Sequence, residues 1–203
     1  MAIVVSVPIV FLIGHLGYNL FTDNVHTVIP GEIYRTAQLD HAGLTHYSKK
    51  FYLKTIINLR GNNPQDHWYR VEKQFATTHH INYYSSPFSA KNLPSKKQLR
   101  QLVKWLEFAP KPLAFHCKSG ADRTGMAAAI SVILFEKNPS INDIKRQASW
   151  HYNAISSETV GYQLMKNYFA WLKKYHFKQS RTHFLEWIFS PAKMKRYSGW
   201  FLV

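Results

Sequence analysis

The sequence predicts an α/β fold, a mostly parallel central sheet flanked by helices, with an N-terminal hydrophobic segment ahead of it. Three observations predict it. Short β-type runs at residues 55–59, 81–87 and 112–115 alternate with stretches of helical periodicity at 42–51, 66–79 and 95–106, the order that crossover-linked parallel strands require. Residues 112–115 and 126–135 are apolar on every side, as a central strand and a fully buried helix must be. With 203 residues, 46% of them hydrophobic and 15% aromatic, the chain is long enough to bury one sizeable core.

From the N-terminus, residues 2–13 carry no charge, and the charge-free stretch runs on to Thr22 with only His15 interrupting it. That is close to the roughly 20 residues a membrane span needs. No Lys or Arg precedes it, Ser6, Pro8 and Gly14 weaken it, and no small-x-small cleavage site stands out before Asp23. Three readings compete: an uncleaved signal anchor, a cleaved signal peptide, or a buried N-terminal element. The division expected is a signal anchor or signal peptide at 1–22, a folded domain at 28–175 and a basic, aromatic C-terminal extension at 176–203. An anchor of this kind makes the protein membrane-associated, with the folded domain on the extracytoplasmic side.

In the domain, residues 28–39 open with a Pro30-Gly31 turn and a strand through Tyr34, Arg35 and Thr36 to Gln38. A helix over 42–51 leads to the strand at 55–59, and Asn58-Leu59-Arg60-Gly61 ends it. Asn63-Pro64 breaks the chain, Asp66 is placed to cap the next helix, and a weakly alternating third strand follows at 81–87. Ser95 and Gln98 form a capping box, and Leu99, Leu102, Val103 and Leu106 make one apolar helix face. Beyond the central helix, Ser140 and Asp143 read as another cap, and Met165, Tyr168, Phe169 and Leu172 lie at helical spacing. The tail interleaves Lys and Arg with Phe177, Phe184, Trp187, Phe189 and Trp200. It either covers the sheet or rests on an anionic membrane surface.

The chain is organised around His116-Cys117-Lys118-Ser119-Gly120-Ala121-Asp122-Arg123-Thr124-Gly125, which joins the central strand to the buried helix. A loop entering a helix N-terminus aims free N–H groups and the positive end of the macrodipole at one point, a site for a tetrahedral oxyanion such as phosphate. Lys118, Ser119, Gly120, Ala121, Asp122 and Arg123 are the candidate phosphate-binding residues. Cys117, the only cysteine, stands at the mouth of this loop, where its thiolate would be a nucleophile. Arg123 can grip two phosphate oxygens bidentately. Thr124 can hydrogen-bond the sulfur, and His116 can orient the loop from behind. The plain alternative is a small core cysteine followed by an ordinary helix cap. A Walker loop is excluded, because Met126 rather than Lys follows the Gly120/Gly125 pair.

His-Cys-x5-Arg-Thr-Gly resembles the signature loop of the cysteine-dependent protein-tyrosine and dual-specificity phosphatases. The 28–39 segment resembles the opening strand of bacterial, plant and fungal dual-specificity phosphatase-like proteins, and Asn58-Leu59-Arg60-Gly61 is similar to a loop that lies beside their active site. A rhodanese-type loop is usually one residue shorter and lacks the Arg-Thr-Gly exit. The resemblance spans about residues 28–172. It implies a dual-specificity phosphatase-like fold and phosphomonoester hydrolysis through a phosphocysteine, with Cys117 as nucleophile and Arg123 holding the phosphate. Many tyrosine phosphatases carry their general acid on an upstream loop, here residues 86–94, but that stretch has no carboxylate. The Asp122-Arg123-Thr124 ending instead matches bacterial lipid and tyrosine phosphatases and myotubularin-like enzymes. Asp122 is therefore the expected acid, with a structural carboxylate as its alternative role and Asp66 in reserve. Arg60 either supports the pocket or pairs with a carboxylate.

The 26 Lys and Arg against 11 Asp and Glu, a net charge of +15, imply anionic partners. The expected partners are a phosphorylated protein or a phosphoinositide, with an anionic membrane surface in addition; nucleic acid is not expected. The alternative functions are a phosphoinositide or inositol-polyphosphate phosphatase and a non-catalytic phosphate-binding module. No cofactor and no metal are expected, since His67, His79 and His80 lack ligands at a useful spacing. One cysteine allows no internal disulfide.

Overall fold

The computed structural model describes residues 3–198, and for residues 3–9 and 13 only the backbone. Its centre is a five-stranded sheet of β1 (His26–Ile29), β2 (Ile33–Thr36), β3 (Thr55–Asn58), β4 (Asn82–Ser85) and β5 (Leu113–His116), in the order β1-β2-β5-β3-β4. All neighbours are parallel except β1 and β2. The segment expected as one opening strand is thus a hairpin. Pro30 and Gly31 turn it, with Gly31 at φ +73, and the Glu32 amide closes on Ile29 O at 3.1 Å. The mostly parallel α/β architecture is the one predicted.

Strand alternation sorts the core into two layers. Ile33, Ile57, Leu113 and Phe115 face a large layer containing α4 (Lys96–Phe108), α5 (Asp122–Phe135), α7 (Val160–Tyr175) and α8 (Arg181–Phe189). Ile56 faces a smaller one with Leu44 of α2 (His41–Phe51) and Phe75 and Ala76 of α3 (His67–Thr78). Every residue of α5 from Thr124 to Leu134 is buried, so this helix sits between the sheet and α7 and offers no face to water. Ser95 and Ser140 make the expected capping boxes at α4 and at α6 (Ile141–Arg146). Asp66 stands at the N-cap of α3 but makes no cap bond; its carboxylate accepts the Trp68 indole N–H at 2.9 Å.

Of the tail aromatics, Phe184 and Trp187 are buried in the large layer and Phe189 is exposed; Trp200 lies outside the described residues. After α8 the chain runs back along α7, where two amide side chains serve as a ladder. Asn167 exchanges both bonds with the Lys195 backbone (2.8 and 2.9 Å), and Gln163 does the same with Tyr197 (2.9 and 2.8 Å).

The N-terminal segment forms a helix that contacts the domain through its polar residues. Among the described residues no helix is long and apolar enough to cross a membrane. Residues Ile3–Phe21 form α1, and Met1 and Ala2 of the expected 1–22 segment lie outside the described residues. The polar residues that interrupt its apolar run bind the domain. Asn19 is fully buried and donates to His151 O and Asn153 Oδ1, both at 3.0 Å, and His15 Nε2 lies 3.0 Å from His151 O. Val10, Phe11, Leu20 and Phe21 of the same helix remain exposed.

Candidate active site

The sheet register assembles the site. Thr36, His116, Asn58 and Ser85, the last residues of four parallel strands, are paired across the sheet in one row, so the segments leaving all four strands converge on one edge. Residues 116–121 form the central segment of that edge and lead into α5. The N-cap of α5 is Ala121, whose side chain cannot cap, so the first-turn amides keep no side-chain acceptor.

The carbonyls of residues 116–120 are all engaged, and those of 116, 118, 119 and 120 are held from outside the loop. Leu59 N–H donates to His116 O at 3.0 Å, and His116 Nδ1 lies 3.3 Å from Cys117 O. Gln38 N–H donates to Lys118 O at 3.2 Å, Asn24 Nδ2 to Ser119 O at 3.0 Å, and Arg35 Nη2 to Gly120 O at 2.9 Å. In a trans peptide the N–H of the next residue points opposite to the C=O. Tying the oxygens of 118, 119 and 120 outward therefore turns the amides of 119, 120 and 121 inward, toward one anion. Gly120 makes the bend with φ +70, and a Cβ there would lie 2.9 Å from Ala37 N and from Asn24 Cβ. Only glycine fits.

Around this nest, Cys117 is buried with its thiol free, while Lys118 and Ser119 are exposed. Arg123 is half-buried on the first turn of α5; its Nη1 makes one long contact, 3.5 Å to Phe88 O, and its buried Nε has no acceptor among the described residues. Thr124 is fully buried and its hydroxyl has no partner either, so the expected bond to the Cys117 sulfur is not made. Unpaired buried donors are costly, and those of Arg123 and Thr124 stand at the loop where an oxyanion would supply acceptors.

Asp122 stands beside Arg123 on the same turn. Burial pushes its carboxyl above the ordinary value, against the pull of Arg123 and Lys91, and it makes no side-chain hydrogen bond among the described residues. A desolvated, unengaged carboxyl can carry a proton, unlike one locked in an ion pair. The reserve candidate Asp66 is exposed and already engaged with Trp68.

Arg60 lies over the Trp68 ring at 3.5 Å and donates to Gln38 Oε1 at 3.0 Å; it pairs with no carboxylate among the described residues. Burial lowers its pKa, as does Arg123, while Asp66, Cys117 and Glu72 act the other way. Arg60, Arg123 and Cys117 thus share one electrostatic neighbourhood.

Two contributors were not singled out from the sequence. Glu72, almost fully buried on α3, accepts from His116 Nε2 at 3.0 Å, Tyr83 OH at 2.7 Å and Gln38 Nε2 at 2.6 Å. Burial alone would raise its carboxyl, but His116 and these three hydrogen bonds bring it below the ordinary value. A signal existed, because Tyr69, Glu72 and Ala76 share the buried face of α3 at helical spacing. Asn24, in the turn between α1 and β1, had none; it lies before the expected start of the domain.

A free thiol at the mouth of a pinned, amide-lined anion loop, with a guanidinium six residues further on, defines the class of the cysteine-dependent phosphatases, and the chain is such an enzyme. It belongs to the tyrosine phosphatase family, whose model matches residues 15–138. No curated protein sequence matches it. Among solved structures it is similar to the core catalytic domain of the PP-IP phosphatase Siw14 from S. cerevisiae in complex with citrate. The identity is 22% and the TM-score 0.58, over 75% of this chain and 93% of that one. It is also similar to TpbA from P. aeruginosa, at 18% identity and TM-score 0.51 over 63% and 73% of the two chains. A TpbA structure with phosphotyrosine gives 17% and 0.52 over 65% and 76%. These likenesses are of fold.

Proposed function

We propose that this phosphatase acts on phosphotyrosine-type monoesters through a phosphocysteine, with Cys117 as nucleophile, Arg123 and the amides of 119–121 as the phosphate clamp, and Asp122 as general acid and base. The observation that carries the reading is the outward pinning of the loop carbonyls, which prepares an anion nest around the single thiol before substrate arrives. The Cys117 sulfur attacks phosphorus in line, the bond to the leaving oxygen breaks, and that oxygen takes the Asp122 proton. Water then attacks the phosphocysteine, gives its proton to the Asp122 carboxylate, and the S–P bond breaks to return thiolate and inorganic phosphate.

A second reading, a phosphoinositide or inositol-polyphosphate phosphatase, is favoured by the cations at the site: Arg60 shares the field of Arg123, Lys91 that of Asp122, and Lys118 is exposed on the loop. The phosphotyrosine complex of TpbA and the PP-IP phosphatase activity of Siw14 bracket the two readings. Phosphate release from a phosphotyrosine peptide and from phosphoinositides at one ionic strength decides between them.

Cys117→Ser is expected to release no phosphate from either substrate; turnover by that variant would end the cysteine mechanism. Asp122→Asn is expected to slow alkyl phosphates by about 100- to 10,000-fold and to slow aryl phosphates with acidic phenols much less. A uniform loss across leaving groups would instead make Asp122 structural.

A further inference from the structure

Arg35 is one of the largest wholly buried side chains in the protein. It leaves β2 beneath the signature loop. Nη2 donates to Gly120 O at 2.9 Å, Nη1 to Gln147 O at 2.8 Å and to Gln147 Oε1 at 3.3 Å, and the guanidinium lies 3.8 Å from the centroid of the Tyr152 ring. All of these partners are neutral. Among the described residues no carboxylate is within ion-pair distance, and Nε has no acceptor. Burial accordingly pulls the guanidinium down to about 10, while Tyr152 and Cys117 raise it.

A buried cation that faces only neutral dipoles costs several kcal/mol, and folded proteins normally place a counter-ion beside it. A counter-ion does arise here, on the other side of the loop, when Cys117 ionises or a phosphate binds. We propose that Arg35 is a positioning residue of the phosphatase loop: it holds the Gly120 carbonyl out of the anion site and supplies from below the fixed positive charge that the Cys117 thiolate and the bound phosphate neutralise. Arg123 grips the anion directly, and Arg35 acts through the peptide between Gly120 and Ala121. The hydrogen bond and the charge work together, because turning that carbonyl inward would both remove an amide donor and set an oxygen against the phosphate. The inference rests on the cysteine-phosphatase reading of the loop.

The single cysteine makes the test clean. In the full chain, iodoacetamide alkylation of Cys117 is followed by intact mass across pH, with and without inorganic phosphate as protectant. The other charged groups near the thiol, His116, Lys118, Asp122 and Arg123 on the loop and α5, Arg60 beyond β3 and Glu72 behind His116, stay unchanged. Near Arg35 itself, His26 and Tyr152 also stay.

Arg35→Met is expected to move the alkylation midpoint upward by about one unit or more, a tenfold or greater slowing at a pH below both midpoints, and to weaken phosphate protection. Arg35→Lys keeps the charge but cannot hold the Gly120 and Gln147 carbonyls with one planar fork, so its midpoint stays near wild type while protection weakens. A wild-type midpoint in Arg35→Met, or a shift in Arg35→Lys as large as in Arg35→Met, overturns the proposal. If Arg35→Met fails to fold, Arg35→Lys decides: weakened protection supports the role, unchanged protection overturns it. Failure of both to fold makes Arg35 purely structural. Alkylation needs no turnover, so this result stands apart from the failure of wild type to hydrolyse any phosphomonoester, which would sink the phosphatase reading itself.

Discussion

The signature loop is held between two polar walls that balance their charge differently. On the β3/α3 side, Glu72 collects His116, Tyr83 and Gln38, and Gln38 passes the chain on to Arg60. The carboxylate is satisfied three times over, so that wall is closed within the protein. On the β2 side, Arg35 and Asn24 hold the Gly120 and Ser119 carbonyls and reach Gln147 and Tyr152, all neutral groups. That wall keeps a net positive charge. The difference teaches that burial of polar groups serves two ends here: one network fixes geometry, and the other leaves a potential for the anion to cancel.

The largest effect separating the walls should come from Glu72→Ala, which leaves His116, Tyr83 and Gln38 without their acceptor. Removing one partner of a buried ionic network costs about 3–5 kcal/mol, readable as a lowered urea midpoint. Glu72→Gln keeps the shape and should cost less. Because the folded carboxyl lies below its ordinary 4.5, the stability it contributes is present above that pH and is lost as pH falls through the folded value. Thermal melts of wild type and Glu72→Gln should therefore converge on acidification, and a gap that stays constant down to pH 3 would show that the wall is not ionic.

A middle-sized effect is expected from Asn24→Gly, which keeps the left-handed backbone of that residue, φ 48, and deletes its bonds to Ser119 O, Tyr152 O and His26 Nε2. Three hydrogen bonds at about 0.5–1.5 kcal/mol each set the loss of stability. Unlike Arg35→Met, this variant should leave the pH midpoint of Cys117 alkylation in place, and a shifted midpoint would mean that loop geometry rather than charge governs the thiol.

The smallest effect concerns Asp122 and has the opposite sign. Burial raises its carboxyl, so ionising it costs more in the folded chain than in the unfolded one, and the stability tied to its protonated form is present at acid pH and lost as pH rises through the folded value. Asp122→Asn should melt slightly higher than wild type at pH 7, and the gain should vanish on approaching pH 4. A lower melting temperature at pH 7 would point instead to a carboxylate that holds the loop together.

Much of this was legible in the chain. The capping residues Ser95 and Ser140, the apolar face from Leu99 to Leu106 and the apolar runs at 112–115 and 126–135 that become most of β5 and α5 are local or periodic features, and local features survive folding. The N-terminal segment adds contacts that no local pattern specifies. Residues 3–21 are apolar enough in composition to suggest a span, yet His15 and Asn19 are hydrogen-bonding handles whose acceptors lie more than a hundred residues away, at His151 and Asn153. The absence of any carboxylate at 86–94 makes Asp122 the expected general acid, and the engagement of Asp66 with Trp68 is a contact that only folding makes.

Sequence by itself determined the chemistry of the centre: one thiol, one guanidinium six residues on, and a strand-to-helix junction that presents amides to an oxyanion. Those depend on spacing along a short loop, where the covalent chain alone limits what can meet. Only the tertiary structure decided what stands around the loop. Glu72, Asn24 and Arg35 reach it from α3, from the turn after α1 and from β2, brought there by parallel strand pairing that aligns Thr36, His116 and Asn58 in one row. Such contacts depend on sheet order and register, which arise from the packing of the whole core; spacing along the chain could mark Glu72 as facing inward, but not what it would meet there.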